Sequence, residues 1–376
     1  MTTGPEVPFF DLRAAFRRDR EVLEQATLRV LHSGVWIGGG EVEAFEAAWA
    51  TWAGAPFAVG VANGTDAITL ALWAAGVGPG DEVLLPALSA YPTTVGVVRS
   101  GATPVFVDVK ESDGLLNMGL LESAISSRTK AVLPVHLYGN PCDMPALIDI
   151  AERHHLAIVE DCAQAHGVLS VGRPVGSWST AAAWSFYPTK NLGAAGDAGG
   201  VTTANAAVAA RLKSLRNYGQ KDRYLHEEAG INSRLDPIQA AILAARLPLL
   251  ELRNAKRRDV GDIYSAVLAG QQLLRPVVPN CADRSNRHLY PVFVPEAGLR
   301  EPVRSFLEAR GVETLVHYPV AMPDQRATPR SQRQGSYPVA RKLANTELSL
   351  PIYPELEPQQ IERVVEALKE TIGRFA

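Results

Sequence analysis

Between residues 61 and 203 short apolar runs alternate with longer stretches of helical periodicity. VLLP (83–86), PVFVDV (104–109), AVLPVHL (131–137), AIVED (157–161) and AAAWSF (181–186) read as strands buried on both faces. DAITLALWAAG (66–76) and PALIDIAERHH (145–155) read as helices between them. This alternation predicts a mostly parallel sheet with helices on both faces. In such sheets ligands bind at the carboxyl ends of the strands.

The pattern changes further on. Residues 235–268 read as one long helical stretch, kinked at Pro248. HLYPVFV (288–294) and ETLVHYP (313–319) read as strands, with the helix-like EPVRSFLEARG (301–311) between them. Near the end, Ile361, Val364, Val365, Leu368 and Ile372 share one helical face. Residues 321–337 are polar and carry Pro and Gly, which predicts a surface loop. The expected division is a large α/β domain over 1–250, whose N-terminal segment packs on the other domain, and a smaller α+β domain over 251–376.

Composition narrows the function. The chain has 376 residues, 47% hydrophobic and 20% charged, as expected of a soluble globular protein of two or three domains. A net charge of -3 gives no reason to expect nucleic acid or an anionic membrane as partner. Cys142, Cys162 and Cys281 form neither a disulfide framework nor a CxxC pair. They read as small buried hydrophobes in a reducing cytoplasm, and no metal site is expected. The start lacks a signal-like apolar stretch, and no apolar run reaches the roughly 20 residues of a membrane span.

Three features suggest chemistry, each with a plainer reading beside it. Lys190 stands in SFYPTKNLGAAGDAGGV (185–201), after a strand-like run and before four glycines. A confined lysine can lose its proton and attack a carbonyl, although an exposed turn lysine would look the same. Asp161 ends AIVED at the mouth of the sheet. A protonated ring nitrogen would suit it, as would a helix cap or salt bridge. VGVANGTDAITLAL (59–72) ends a strand, turns at Asn63-Gly64 and enters a helix at Thr65. That suits a phosphate, or only an ordinary capped helix. Neither a P-loop spacing nor a GxGxxG fingerprint is present. Together the three supply an amine for a Schiff base, an acid for a ring nitrogen and a phosphate cradle, the contacts that pyridoxal 5'-phosphate requires.

VANGTDAITLAL, VEDCAQAHG, SFYPTKNLGAAGDAGG, INSRLDPIQAAIL and HYP, taken together, resemble the DegT/DnrJ/EryC1/StrS family of sugar aminotransferases. The resemblance runs from VPFFDL to LSLPIYPELEPQQIERVVEAL. It implies the fold-type I, aspartate-aminotransferase-like architecture. Carried over by residue, it implies that Lys190 binds the cofactor aldehyde and moves the proton. Asp161 pairs with the pyridine nitrogen, and Gln164 lies near the phenolic oxygen. Gly64, Thr65 and Ser185 hold the phosphate. Asn232 reaches the other subunit's cofactor, so the site needs a homodimer. Relatives carry a ring-stacking aromatic where this chain has Ala90, and the neighbouring Tyr91 is expected to stack instead.

The resemblance further implies ping-pong transfer from L-glutamate, released as 2-oxoglutarate, to a nucleotide-linked keto-deoxyhexose, with dTDP the expected carrier. KNLGAAGDAGG looks like members that aminate C3, where 4-keto enzymes carry a GEGG-type string. His166, Arg234, His317 and Tyr318 are candidate sugar contacts, with Arg216 and Tyr218 nearby. WIGGGEVEAFE (36–46) resembles the segment near the nucleotide diphosphate, or is a simple helix-start turn. The alternatives are amination at C4, a catalytically silent regulatory relative, and an NAD-linked sugar oxidoreductase. Intact Lys190, Asp161 and Gln164 count against the second, and the missing glycine fingerprint against the third.

Overall fold

The computed structural model describes residues 6–277, 284–329 and 335–376. Cys281 and part of the 321–337 segment lie outside the described residues. The first elements are α1 (Leu12–Ser33), α2 (Gly40–Ala53), β1 (Phe57–Val61), α3 (Gly64–Ala74), β2 (Glu82–Pro86), α4 (Pro92–Arg99) and β3 (Thr103–Val107). Then come α5 (Met118–Leu121), β4 (Thr129–Val132), α6 (Met144–Arg153), β5 (Ala157–Asp161), the short β6 (Leu169–Ser170) and β7 (Arg173–Pro174), β8 (Ala181–Ser185) and β9 (Gly199–Thr203). The rest are α7 (Ala206–Leu215), the hairpin β10 (Gln220–Asp222) and β11 (Leu225–His226), α8 (Pro237–Arg246), α9 (Leu250–Val267), β12 (Arg275–Pro276), β13 (Tyr290–Phe293), α10 (Ala297–Glu308), α11 (Pro338–Thr346), β14 (Glu347–Leu350) and α12 (Pro358–Phe375).

Seven strands form the main sheet in the order β1-β9-β8-β5-β4-β2-β3. All run parallel except β9, which is antiparallel to β1 and β8. Every residue of β2 and β9 is buried, as a sheet covered on both faces requires. The register decides where a site can form. Gly199, the first residue of β9, pairs with Val61 and Ser185, the last residues of β1 and β8. Asp161 ends β5 on the same edge of the sheet. The carboxyl edge therefore gathers residues 61–65, 161–164, 185–190 and 197–199.

A second, antiparallel sheet, β12-β13-β14, packs with α9, α10 and α12 around Tyr264, Val292, Leu307, Leu348 and Leu368. Val7 joins this cluster and bridges to Val312. Pro248 lies in a 3-10 turn, Leu247–Leu249, that separates α8 from α9. A proline lacks the N–H that would continue the helix there. One expectation fails. Residues 313–319 form no strand, only a bridge from Leu315 to Ser349. The reason is local: the His317 N–H is taken by the Glu347 carboxylate rather than by a strand neighbour.

Candidate active site

A cavity of about 260 Å³ lies at this carboxyl edge. Gly64, Thr65, Asp161, Gln164, Ser185 and Lys190 all line it. Six residues from three separate stretches of sequence are thus brought to one place.

At one end is the start of α3. Asn63 caps the helix, its side-chain oxygen accepting from the Asp66 N–H at 2.8 Å. The first N–H groups of a helix lack intrahelical partners and favour an anion. The hydroxyls of Thr65 and Ser185 stand beside them in the cavity wall. The backbones here approach too closely for any larger residue. A Cβ on Gly64 would lie 2.7 Å from the Ser185 Cβ, and one on Gly199 would lie 2.4 Å from the Asn63 carbonyl.

Asp161 is buried. Its Oδ2 accepts from the Thr93 hydroxyl at 2.8 Å and its Oδ1 from the Ala163 N–H at 3.1 Å. Burial raises its pKa, while these donors and the Lys190 charge oppose the rise. Burial also lowers the Lys190 amine to about 8, with Asp161 pulling the other way. An amine near neutrality and an acid that lacks a full countercharge share one cavity.

Gln164 is locked from two sides. Its Oε1 accepts from the Tyr138 N–H at 2.6 Å, and its Nε2 donates to the Tyr318 hydroxyl at 3.0 Å. Tyr138 in turn donates its hydroxyl hydrogen to the His317 carbonyl at 2.6 Å. The His317 ring bonds to the Ser349 hydroxyl at 2.9 Å and stacks on Phe9 at 5.5 Å. Burial lowers its pKa to about 4, so the ring is neutral at pH 7. Tyr318 and His317 thereby join the second sheet to the cavity's acid end.

Other expected positions differ. His166 is fully buried, with its ring stacked against Trp184 and Phe186 and its Nδ1 accepting from the Leu192 N–H. It packs beneath the lysine segment and does not line the cavity, so the expected sugar contact does not fit its placement. Tyr91 also leaves the cavity lining, where Ala90 and Thr93 stand instead. Its hydroxyl accepts from Thr328 at 3.4 Å, so the expected ring-stacking role does not fit either. Asn232 is exposed and bridges to Asn217, and Arg234 donates to the Asn217 side chain at 3.1 Å. Neither lines the cavity of its own chain. Arg216 is engaged by Glu46 and the Gly60 carbonyl, and Tyr218 is exposed.

Sequence reasoning missed Thr93 and Tyr138. Thr93 follows Pro92 in the segment read for an aromatic, but no spacing announces its bond to an acid 68 positions away. Asp197, inside the glycine-rich string, also lines the cavity. The arrangement offers an amine, an acid for a ring nitrogen and a cradle for a phosphate, and so it fits pyridoxal 5'-phosphate.

Comparison with known proteins agrees with the geometry. The model of the DegT/DnrJ/EryC1/StrS aminotransferase family matches residues 18–369. The chain is 45% identical over 372 residues to dTDP-3-amino-3,4,6-trideoxy-alpha-D-glucose transaminase of Streptomyces venezuelae, covering 98% of this chain and 97% of that one. It is 40% identical to UDP-N-acetyl-3-dehydro-alpha-D-glucosamine 3-aminotransferase of Acidithiobacillus ferrooxidans, covering 99% and 100%. The crystal structure of S. venezuelae DesV in complex with a ketimine intermediate matches over 100% of both chains, with 44% identity and a TM-score of 0.96.

Proposed function

The chain belongs to the DegT/DnrJ/EryC1/StrS aminotransferase family and is a pyridoxal-phosphate-dependent sugar aminotransferase; within that class we propose that it moves an amino group from L-glutamate to C3 of a dTDP-linked 3-keto-deoxyhexose. The observation that carries the reading is Lys190 and Asp161 on the wall of one cavity whose end is a helix N-terminus. Two relatives of this chain are named for 3-amino products or 3-dehydro substrates, which supports C3 over C4. The GDAGG string, with Asp197 in the cavity wall, supports the same choice.

When bound, the cofactor supplies an electron-withdrawing ring that stabilises negative charge on a neighbouring carbon. The protein does the rest. Thr65, Ser185 and the first N–H groups of α3 would hold the phosphate. Asp161, held by Thr93 and Ala163, would pair with the ring nitrogen and favour its protonated form. Gln164, fixed by Tyr138 and Tyr318, would offer its amide to the phenolic oxygen. The Lys190 amine, lowered to about 8, takes a proton from the donor's α-carbon and returns one at the sugar carbon. His317 and Tyr318 do not line the cavity and act through Tyr138 and Gln164, which they hold from the second sheet, and Asn232 and Arg234 are assigned to the partner subunit's site in a homodimer. A cytoplasmic reaction is part of this proposal, and free, buried Cys142 and Cys162 are compatible with a reducing compartment.

The test has two parts. Protein supplied with cofactor is expected to show a visible absorption band that shifts on adding glutamate and is absent from Lys190→Ala. Mass spectrometry of products from 3-keto and 4-keto nucleotide sugars is expected to show amination of the former. A wild-type protein without the band defeats the catalytic reading, and a 4-amino product defeats only the choice of carbon.

A further inference from the structure

A second cavity, of about 50 Å³, shares Thr189 and Lys190 with the first. Arg18 from α1, Arg246 from α8, and Arg253 and Arg257 from α9 line it together with Lys190. The carboxylates at hand are Asp11 and Glu355 in the lining and Asp19 behind it. With Lys190 facing Asp161 and taken by the cofactor, four arginines stand against three carboxylates, an excess of one positive charge.

Those carboxylates are already engaged. Asp19 is shared: it accepts from Arg18 at 2.8 Å and from Arg253 at 2.8 Å, and it faces Arg246 Nε at 3.4 Å. Glu355 is taken by Arg18. Asp11 caps Ala14 and pairs with Arg17. Arg257 is buried and has no carboxylate partner among the described residues. Its Nη1 donates to the carbonyls of His288 and Ile352, and its Nε is buried without a hydrogen-bond partner. Arg246, by contrast, is paired through its Nε with Asp19 at 3.4 Å and donates from Nη1 to the Gly193 carbonyl at 2.6 Å. Burial lowers the Arg257 pKa to about 9 and that of Arg253 to about 10. A buried donor left unsatisfied carries a desolvation penalty, larger when the group is charged. An acceptor anion within reach of Arg257 would remove that cost.

The space matches one. A buried water needs about 10–15 Å³ on this measure, so the cavity takes roughly three to five such groups, the size of a carboxylate or a phosphate. We propose that this cavity is an anion subsite that takes a small oxyanion, with Arg257 as the principal donor and the Arg246 charge beside it. The oxyanion can be free inorganic phosphate or a carboxylate of the amino donor. The chemistry is the same, and only the second source rests on the aminotransfer reading.

The experiment is calorimetric titration of cofactor-saturated protein at constant ionic strength, so that the cofactor's own phosphate cradle is filled. Inorganic phosphate is one probe and glutarate, a dicarboxylate without an amine, is the other. At least one is expected to bind saturably, with its Kd at least tenfold higher in Arg257→Met. Arg246→Gln, which spares the bonds from Arg257 to His288 and Ile352, gives the same comparison should Arg257→Met not fold. Tighter binding of phosphate identifies a free inorganic occupant, and tighter binding of glutarate identifies the donor's carboxylate. Absence of saturable binding by both probes, or a Kd that the substitutions leave unchanged, overturns the proposal and leaves a water-filled cavity.

Discussion

Thr93 donates its hydroxyl hydrogen to Oδ2 of Asp161 at 2.8 Å, and both side chains are buried. Burial pushes the Asp161 carboxyl up, and this donor and the Ala163 N–H hold it down. Thr93→Val keeps the shape and removes the donor. A hydrogen bond to a charged group contributes about 1.5–3 kcal/mol, which corresponds to about one to two pKa units. Loss of the donor therefore raises the pKa, and the acid limb of the pH–rate profile moves up by about one unit, with kcat down about tenfold at any pH on that limb. A profile that matches wild type would show that Thr93 does not control this acid.

Gly199 is where the cradle tolerates least change. A methyl group there would meet the Asn63 carbonyl carbon and oxygen at 2.4 Å and the Gly64 nitrogen at 2.9 Å. All three are backbone atoms beside the helix that receives the phosphate, so no side chain can swing away. Gly199→Ala is expected to cost about 1–3 kcal/mol of stability. The Kd for the cofactor should rise at least tenfold, on the order of 1.4 kcal/mol. Fluorescence titration of the cofactor-free protein measures it. An unchanged Kd would mean that the strand and the helix start move apart freely.

The large sheet was legible because its strands are apolar runs separated by helical stretches, a pattern that burial on both faces imposes. The amine, the acid and the phosphate cradle were legible because each sits at the end of such a run. What failed was side-chain direction. Tyr91 and Thr93 are two residues apart around the start of α4, and only the threonine reaches Asp161. His166 and Gln164 are also two apart, yet one packs among aromatics and the other bonds to Tyr138 and Tyr318. In short turns no period fixes which way a residue faces, so tertiary contacts decide it. The reversed direction of β9 also left no trace, because a buried strand reads alike in both directions.

The Lys190 amine is lowered to about 8 by burial. Only its neutral form attacks an aldehyde. Capture of cofactor by the cofactor-free protein should therefore quicken about tenfold per pH unit until about pH 8 and then level, as stopped-flow absorbance would record. The folded chain holds fewer protons on this group than the unfolded chain between about 8 and 10.5. Its contribution to stability accordingly improves as pH rises through that window. Lys190→Met should flatten the rise, and an equally steep rise in that variant would assign it to another group.

Glu347 moves the opposite way. Burial pushes its carboxyl up to about 8, outweighing the bonds from the Ser349 hydroxyl and the His317 N–H. The folded protein then holds more protons here than the unfolded chain between about 4.5 and 8. This contribution is fully present below 4.5 and is lost as pH rises through 8. Glu347→Gln cannot ionise, so thermal midpoints should shift in the variant's favour as pH goes from 5 to 8. A constant difference between the two proteins would mean that Glu347 is already ionised at pH 5.

Leu12, Phe16, Leu28 and Leu31 are all exposed on α1, with Trp36 and Ile37 just beyond it. Contiguous apolar surface of this kind marks an interface. In the proposed homodimer Asn232, exposed in its own chain, completes the partner's site. Leu28→Glu should then sediment as an inactive monomer. Mixing separately inactive Lys190→Ala and Asn232→Asp chains tests the sharing itself. In a hybrid, one site carries both lesions and the other neither, because each site takes its lysine and its asparagine from different chains. Random reassociation makes half of the dimers hybrid, so activity should recover to about a quarter of wild type. A mixture no more active than the mean of its parents would mean that each chain serves its own cofactor.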